Sequence, residues 1–374
     1  MRSIKTLIAG LAVAMLLSTG AFAGSDLNEV GAMLVFPTIV ADDDLFVMGE
    51  HGGNKIETFV TITNAGAAEV YAHVSYINGE DRHYDDACYE CDFEIPLSGN
   101  DTETLVITSI DGGTRIESED SDLELSCEWD YGMIVVTLED GMGATLTDNV
   151  LLGEEVIVDY DAGSALSIPA VSFQGKDGGD GNREYAMDDN EYGKMPRIVA
   201  ADFLAPRDGR HHESGDYGKG TASLSLFTLG FERQFKPLVD CSVIGFDAEE
   251  HPFSASFQFG CWAFIDLCDI SPEFCFPNLG LYSADWEGSD SHGWLQLNCR
   301  VDSDDDGEWE ANGGVHGAIV QYQEGGSVLP AATRGGHHST RFDNDAAWGR
   351  LLYQSVTTGD AVTLVLEGPP GGMF

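Results

Sequence analysis

The stretch from Cys241 to Trp262 carries the clearest strand pattern in the chain. In its second half every other position is apolar, at Phe253, Ala255, Phe257, Phe259 and Cys261. This period of two is typical of a strand that buries one face. The first half is also apolar, and acidic residues and a proline separate the two halves. The stretch therefore predicts an antiparallel β-hairpin.

The hairpin also suggests a disulfide bond. If Val243 lies opposite Phe259, then Cys241 lies opposite Cys261, and directly opposed side chains are close enough to be bridged. The alternative is a pair of buried free thiols. An exported protein favours the bridge, so we expect Cys241 to pair with Cys261.

The first 23 residues predict export. A short basic segment precedes an apolar run, which ends at Ala21-Phe22-Ala23, the pattern of a secretory signal peptide. We expect the mature chain to begin at Gly24 and to be secreted, either extracellular or on the cell surface, with the periplasm as an alternative. No later stretch predicts insertion into a membrane.

The charge balance excludes two classes of partner. The chain has 64 acidic and 18 basic residues, a net charge of −46. Loss of Arg2 and Lys5 with the signal peptide makes it −48. Such a surface repels nucleic acid and anionic lipid. An acidic surface is also typical of an exported protein in which the charge serves only to keep the protein soluble. Alternatively, salt or bound cations screen the repulsion among these charges and so stabilise the protein.

The composition predicts an all-β fold of two immunoglobulin-like or related β-sandwich domains with very little helix. A chain of 374 residues with 45 glycines and many short alternating runs suits two sandwiches better than a helical bundle. We expect an N-terminal domain over 24–173, an acidic Gly/Asp-rich linker or loop over 174–197 and a disulfide-containing β-rich domain over 198–374. One short helix is predicted at Asp345–Gln354.

The order of several short segments along the chain resembles the order found in a group of exported bacterial β-sandwich proteins of unknown function. The resemblance is carried by Leu34-Val35-Phe36-Pro37, Glu57 to Asn64, Phe93 to Asp101, the isolated Cys127 and the acidic hairpin loop at Asp247, Glu249 and Glu250. It implies a β-sandwich fold and export. It assigns no functional residue.

The sharpest functional motif is acidic. Asp302, Asp304 and Asp306 alternate before Gly307, and Glu308 and Glu310 follow. In such a loop the alternate carboxylates point towards one cation, and the glycine allows the sharp turn of the backbone. Several oxygen ligands arranged in this way suit Ca²⁺. The twelfth position is Gly313 rather than the glutamate of an EF-hand. We therefore expect a weak calcium site of the kind found between strands; the alternative is an acidic turn without an ion.

The remaining cysteines predict structure rather than chemistry. Cys88 and Cys91 have redox spacing, but neighbouring carboxylates disfavour a thiolate. A structural bridge with Cys127 is preferred. Cys268 and Cys275 are placed to close a small loop, which leaves Cys299 without an obvious partner.

No residue pattern predicts a catalytic centre. The expected function is therefore a non-enzymatic structural, adhesive or assembly role, through cell-surface or matrix components, glycan or self-association. Five tryptophans in the second half, at 262, 286, 294, 309 and 348, support the alternative of a glycan-binding protein or a hydrolase of extracellular polysaccharide.

Overall fold

The computed structural model describes most of the chain between residues 30 and 358. The described residues are 30–41, 56–78, 88–118, 120–121, 123–140, 143–160, 164–176, 187, 191–193, 195–204, 220–229, 237–247, 252–275, 292–302, 308–309, 314–323, 350–355 and 357–358. The predicted signal peptide lies outside them.

The described residues form 21 strands and very little helix. The strands before residue 198 are β1 Met33–Val40, β2 Ile56–Asn64, β3 Val70–Ile77, β4 Glu90–Leu97, β5 Thr102–Ile110, β6 Gly113–Ser118, β7 Glu124–Cys127, β8 Tyr131–Glu139, β9 Thr145–Leu146, β10 Leu151–Asp159, β11 Ser164–Pro169 and β12 Val171–Phe173. The later strands are β13 Ile198–Leu204, β14 Gly220–Phe227, β15 Leu238–Asp247, β16 Pro252–Phe259, β17 Trp262–Asp266, β18 His292–Asp302, β19 His316–Gln323, β20 Arg350–Ser355 and β21 Thr357–Thr358. A helix, α1 Leu267–Ile270, and a 3-10 turn, Pro272–Phe274, follow β17.

All pairings between these strands are antiparallel, and they define four sheets. Sheet I has the order β11-β10-β2-β5-β6-β7, and sheet II has the order β12-β1-β8-β3-β4 with β9 beside β8. Sheet III is β17-β14-β19-β20, and sheet IV is β16-β15-β18-β13-β21. The prediction of an all-β, sandwich-type fold is confirmed. The division into two domains stays a prediction, although strands before and after residue 198 do not share a sheet.

Four apolar clusters hold the sheets face to face. One cluster lies between sheets I and II, and a second lies between sheets III and IV. A third joins sheet II to sheet III, with Met33, Val35 and Met133 from one side and Phe227 and Trp262 from the other. A fourth adds β19 against sheet I and β1. Sheet II thus packs between sheets I and III, sheet IV covers the other face of sheet III, and sheet III also contacts sheet I directly through β19.

Strand β1 is buried on both faces because it lies in the middle of this stack. All eight of its residues are buried, and the strand reads as an unbroken apolar run instead of an alternation. The apolar run of the sequence from Met33 to Val40 is therefore a single strand that is buried on both faces. Its register against β8 shifts between Phe36 and Ile39, which makes a bulge at Pro37 and Thr38. A bulge is where a strand tolerates proline.

The bulge is the point where three sheets meet. The Pro37 carbonyl accepts hydrogen bonds from Ser225 Oγ at 2.6 Å and from Trp262 Nε1 at 2.7 Å, both in sheet III. The Thr38 amide donates to the carboxylate of Glu155 in sheet I, at 3.2 Å to the nearer oxygen. Because the bulge removes these backbone groups from the β1–β8 ladder, they are satisfied by neighbouring sheets instead.

The hairpin predicted at Cys241 to Trp262 exists as β15 and β16, but its register and its disulfide were predicted wrongly. Val239 lies opposite Phe259, and Cys241 lies opposite Phe257. The loop is shorter than expected because Pro252 already pairs with Phe246 as the first residue of β16, a position that proline tolerates. The chain then leaves sheet IV after Phe259, so Cys261 lies beside sheet III and cannot face Cys241.

All eight cysteines form disulfides. Cys241 bonds to Cys299, which lies directly opposite it on β18, the other neighbour of β15. Cys127 bonds to Cys91, one of the two cysteines of the motif that was expected to supply its partner, and Cys268 bonds to Cys275 as predicted. The fourth bond joins Cys88 to Cys261 across 173 residues. It links the edge of sheet II to the chain that enters sheet III.

The structures of two other segments differ from the sequence-based predictions. The predicted helix at Asp345–Gln354 is wrong for its last five residues, because Arg350–Ser355 pairs with β19 as a strand. In the predicted linker, the described residues Met187, Tyr192 and Met195 are buried in the cluster between sheets II and III. Part of this segment therefore packs into the interface.

Candidate functional site

The acidic loop begins at the end of sheet IV. Asp302 is the last residue of β18 and is only 2% exposed, whereas Glu308 is exposed. Asp304, Asp306 and Glu310 lie outside the described residues. The two described ligand candidates therefore differ strongly in burial, and the calcium site stays a prediction.

The far end of this loop is held against sheet IV by an arginine. The guanidinium of Arg300 lies 4.0 Å from the ring centroid of Trp309. Arg300 also donates from Nε and Nη2 to Oδ2 of Asp240, at 3.0 and 2.7 Å. An arginine between a carboxylate and an indole combines a charge-assisted hydrogen bond with a cation–π contact. The loop is thus attached to the sheet at both Asp302 and Trp309.

Arg300 belongs to the outer face of sheet IV, which turns away from sheet III. Strand β16 alternates exposed and half-buried residues, and its exposed side consists of Pro252, Ser254, Ser256 and Gln258. On the next two strands Ser242, Ile244, Asn298 and Arg300 are exposed as well. This side is bounded by β16, the edge strand of the sheet.

The outer face contains little charge for such an acidic protein. Across the described part of β15, β16 and β18, the exposed residues of this side other than Arg300 carry hydroxyl, amide and apolar groups. Its acids on these strands are Asp240, which is paired with Arg300, and the buried Asp302 at the end of β18. Ile244 is 46% exposed in the middle of this face. A surface whose exposed groups are mostly polar and uncharged suits a partner with hydroxyl groups.

Two aromatic rings stand at one end of the same face. Phe246 and Trp294 lie opposite each other on β15 and β18, and their rings stack with centroids 4.0 Å apart and an angle of 10°. Both residues are half-buried. Of the five tryptophans noted in the sequence, Trp294 and Trp309 lie on this side of sheet IV, Trp262 is buried in the core, and Trp286 and Trp348 lie outside the described residues.

A second cluster of polar groups, which the sequence did not suggest, lies in sheet II. His73 on β3 is opposite Glu94 on β4, and Glu139 is at the end of β8 on the other side of β3. One ligand atom from each of the three lies within 4.8 Å of the other two. Within the described chain this is the only group of three or more His, Cys, Asp and Glu side chains close enough to share a metal ion.

These features define the class of the protein as an all-β, disulfide-bonded protein with several antiparallel sheets. Eight cysteines in four disulfides are typical of an oxidising compartment outside the cytoplasm. In the described residues, no helix is both long and apolar enough to span a bilayer.

Comparison with known proteins adds little to this class. No protein family model and no curated protein matches the chain. A crystal structure of a protein from Parabacteroides distasonis that is thought to be secreted aligns over 76% of this chain and 85% of its own, with 9% identity and a TM-score of 0.16. A TM-score this low does not define a common fold.

Proposed function

We propose that the protein is an exported, non-enzymatic adhesive protein that binds uncharged extracellular glycan with the outer face of sheet IV. The observation that carries the proposal is that the exposed residues of this face on β15, β16 and β18 are mostly uncharged hydroxyl, amide and apolar groups, with aromatic rings at both ends, on a chain with a net charge of −46. Aromatic rings pack against the apolar faces of sugar rings, and amides and hydroxyls bond to sugar hydroxyls. The four-sheet stack would supply a rigid support.

The position of the face favours a long ligand. It spans three strands, from the stacked Phe246 and Trp294 at one end to Arg300 and Trp309 at the other. It is a sheet face with an exposed edge strand, a shape that suits a polymer lying across it. A small substrate usually requires a deeper cavity.

Affinity electrophoresis in gels with dissolved polysaccharide tests this function. We expect a neutral β-glucan to retard the protein and anionic alginate not to, because the overall charge repels a polyanion. Trp294→Ala should abolish most of the retardation. Tyr89→Ala, which removes an aromatic side chain that is 55% exposed immediately before β4 of sheet II, is the control.

The proposal is contradicted if no neutral polysaccharide retards the protein, or if Trp294→Ala is retarded as much as the parent. It is also contradicted if Trp294→Ala and Tyr89→Ala lose the same amount of retardation. Release of reducing ends during incubation would instead identify the protein as a hydrolase of that polysaccharide.

We also propose that calcium binds the segment from Asp302 to Glu310. The proposal is supported by the positions of Asp302, which ends β18, and Trp309, which packs on Arg300 of the same strand, and by the density of acidic residues in the nine-residue sequence 302–310. A divalent ion would offset their mutual repulsion. Without a twelfth-position glutamate we expect a dissociation constant of about 10⁻⁴ to 10⁻³ M, as in extracellular modules.

Calcium should therefore raise the melting temperature more than sodium chloride of equal ionic strength does, since the ion binds the folded loop best. Asp304→Asn should remove this calcium increment. Asp148→Asn, which makes the same charge change at an exposed site elsewhere, should retain it. The site assignment is wrong if sodium stabilises as much as calcium, or if the two variants respond alike.

A further inference from the structure

The cluster around His73 is built by the register of three adjacent strands. Neighbours on one face of a sheet have Cβ atoms about 5 Å apart, and β4, β3 and β8 are adjacent in sheet II. Asp92 on β4 joins the cluster two positions before Glu94, on the same face. The side chains are therefore brought together by backbone pairing that does not depend on a flexible loop.

Both nitrogens of the His73 ring face carboxylates. Nδ1 lies 3.4 Å from Oε1 of Glu139, and Nε2 lies 3.6 Å from Oδ1 of Asp92. The side chains of His73 and Glu139 are 19% and 8% exposed, whereas Glu94 is exposed to solvent. The group thus has a fixed, half-buried side and an open side.

The four side chains of this group carry excess negative charge among themselves. Three carboxylates and one imidazole have a formal charge of −2 even when the imidazole is protonated. Carboxylates held this close repel one another, and the repulsion is strongest where burial lowers the local dielectric. A divalent ion would balance the group.

We propose that His73, Glu94 and Glu139 bind one divalent transition-metal ion of the zinc type. Such ions accept imidazole nitrogen together with carboxylate oxygen, whereas calcium takes oxygen ligands. Zinc–ligand bonds of about 2 Å require the ligand atoms to approach to roughly 3.4 Å, and the exposed Glu94 side chain can make this movement by rotation. The open side leaves a position for water, and Asp92 orients the imidazole through its second nitrogen.

The ion would attach the edge of sheet II to its interior. Strand β4 is the edge strand, and its neighbour β3 separates it from β8. Since an edge strand has a hydrogen-bonding partner on one side only, a bond from Glu94 through the ion to Glu139 would hold three strands together. This proposal does not depend on glycan binding by sheet IV.

Isothermal titration of the chelator-treated, disulfide-intact protein with zinc chloride tests the site. Excess calcium chloride in the buffer would occupy sites that use oxygen alone. We expect one tight equivalent of zinc, with the dissociation constant raised at least ten-fold in His73→Ala and in Glu94→Gln. Glu124→Gln removes an exposed carboxylate from sheet I, outside the cluster, and should bind zinc like the parent.

Cobalt absorption adds a readout that a merely structural effect would not change. The parent loaded with one equivalent of Co²⁺ should show visible bands of a nitrogen- and oxygen-coordinated ion, and these bands should be weakened in Glu94→Gln. Glu94 is exposed, so this variant should fold even if His73→Ala does not. The proposal is overturned if no tight zinc equivalent binds, or if Glu94→Gln leaves both zinc affinity and the cobalt spectrum unchanged.

Discussion

Removing the Cys88–Cys261 disulfide should destabilise the protein more than removing any of the other three. In the chain-entropy model a bridge stabilises by restricting the unfolded chain, and the effect grows with the length of the closed loop. The 173-residue separation of Cys88 and Cys261 gives about 5 kcal/mol by this relation, whereas the seven-residue separation of Cys268 and Cys275 gives about 2 kcal/mol.

The position of this bond adds to its effect. Cys261 is fully buried beside Trp262, whose indole donates to the Pro37 carbonyl in sheet II. A bond that holds Cys88 here keeps the edge of sheet II against sheet III. We therefore expect loss of the bond to weaken the interface between these two sheets before the interior of either sandwich.

Differential scanning calorimetry of alanine pairs tests this expectation. Cys88→Ala with Cys261→Ala should lower the melting temperature by several degrees, and Cys268→Ala with Cys275→Ala should lower it much less. The second pair is the matched control, since it also replaces two half-cystines. An equal or larger loss in the control pair would show that loop length and the sheet II–sheet III contact do not determine the stability contributed by these bonds.

The strands could be predicted because their pattern is local. The mainly apolar segments Val70 to Ile77 and Gly132 to Leu138 of the sequence form β3 and β8. A short apolar run or an alternation indicates a strand whichever partner the strand has, because it reports only how the faces of the strand are buried. For the same reason the hairpin of β15 and β16 was predicted, while its register, which depends on where the loop ends, was not.

The disulfide between Cys241 and Cys299 could not be predicted from local sequence patterns. Cys241 has two neighbouring strands, and the sequence reveals only the one next to it along the chain. Its partner Cys299 comes from β18, which pairs with β15 from 58 residues away. Non-local pairing of this kind depends on the packing of the whole sheet.

The same limitation concealed the cluster around His73. His73 lies within the mainly apolar segment of β3, yet nothing in the sequence states that β4 and β8 flank β3. The strand at Arg350–Ser355 is a related case, because pairing with β19 determines its conformation. A weak helical pattern is readily overridden by tertiary contacts.

Glu155→Gln should stabilise the protein at neutral and alkaline pH. Glu155 is fully buried, and burial raises the pKa of its carboxyl well above the usual 4.5, although the hydrogen bond from the Thr38 amide acts in the opposite direction. Between the usual and the raised pKa, the folded protein holds a proton that the unfolded chain releases. Stability contributed by this group is therefore present at low pH and is lost as the pH rises through the raised pKa.

Glutamine removes this dependence and preserves the hydrogen bond. Its carbonyl oxygen can still accept from the Thr38 amide, which the bulge excludes from the β1–β8 ladder. The melting temperature of the variant relative to the parent should thus increase between pH 5 and pH 8. The corresponding free-energy difference can grow by at most about 1.4 kcal/mol for each pH unit.

The neighbouring Glu154 provides the control. It lies on the opposite face of β10, is only half-buried and accepts a hydrogen bond from Ser167. Glu154→Gln makes the same substitution one residue away and lowers the net negative charge, so it measures the effect of reduced overall repulsion without changing the buried carboxyl. Thermal unfolding of both variants from pH 5 to pH 8 separates the two effects. If their melting temperatures rise in parallel, net charge accounts for the gain, and the carboxyl at the junction of sheets I, II and III has no special cost.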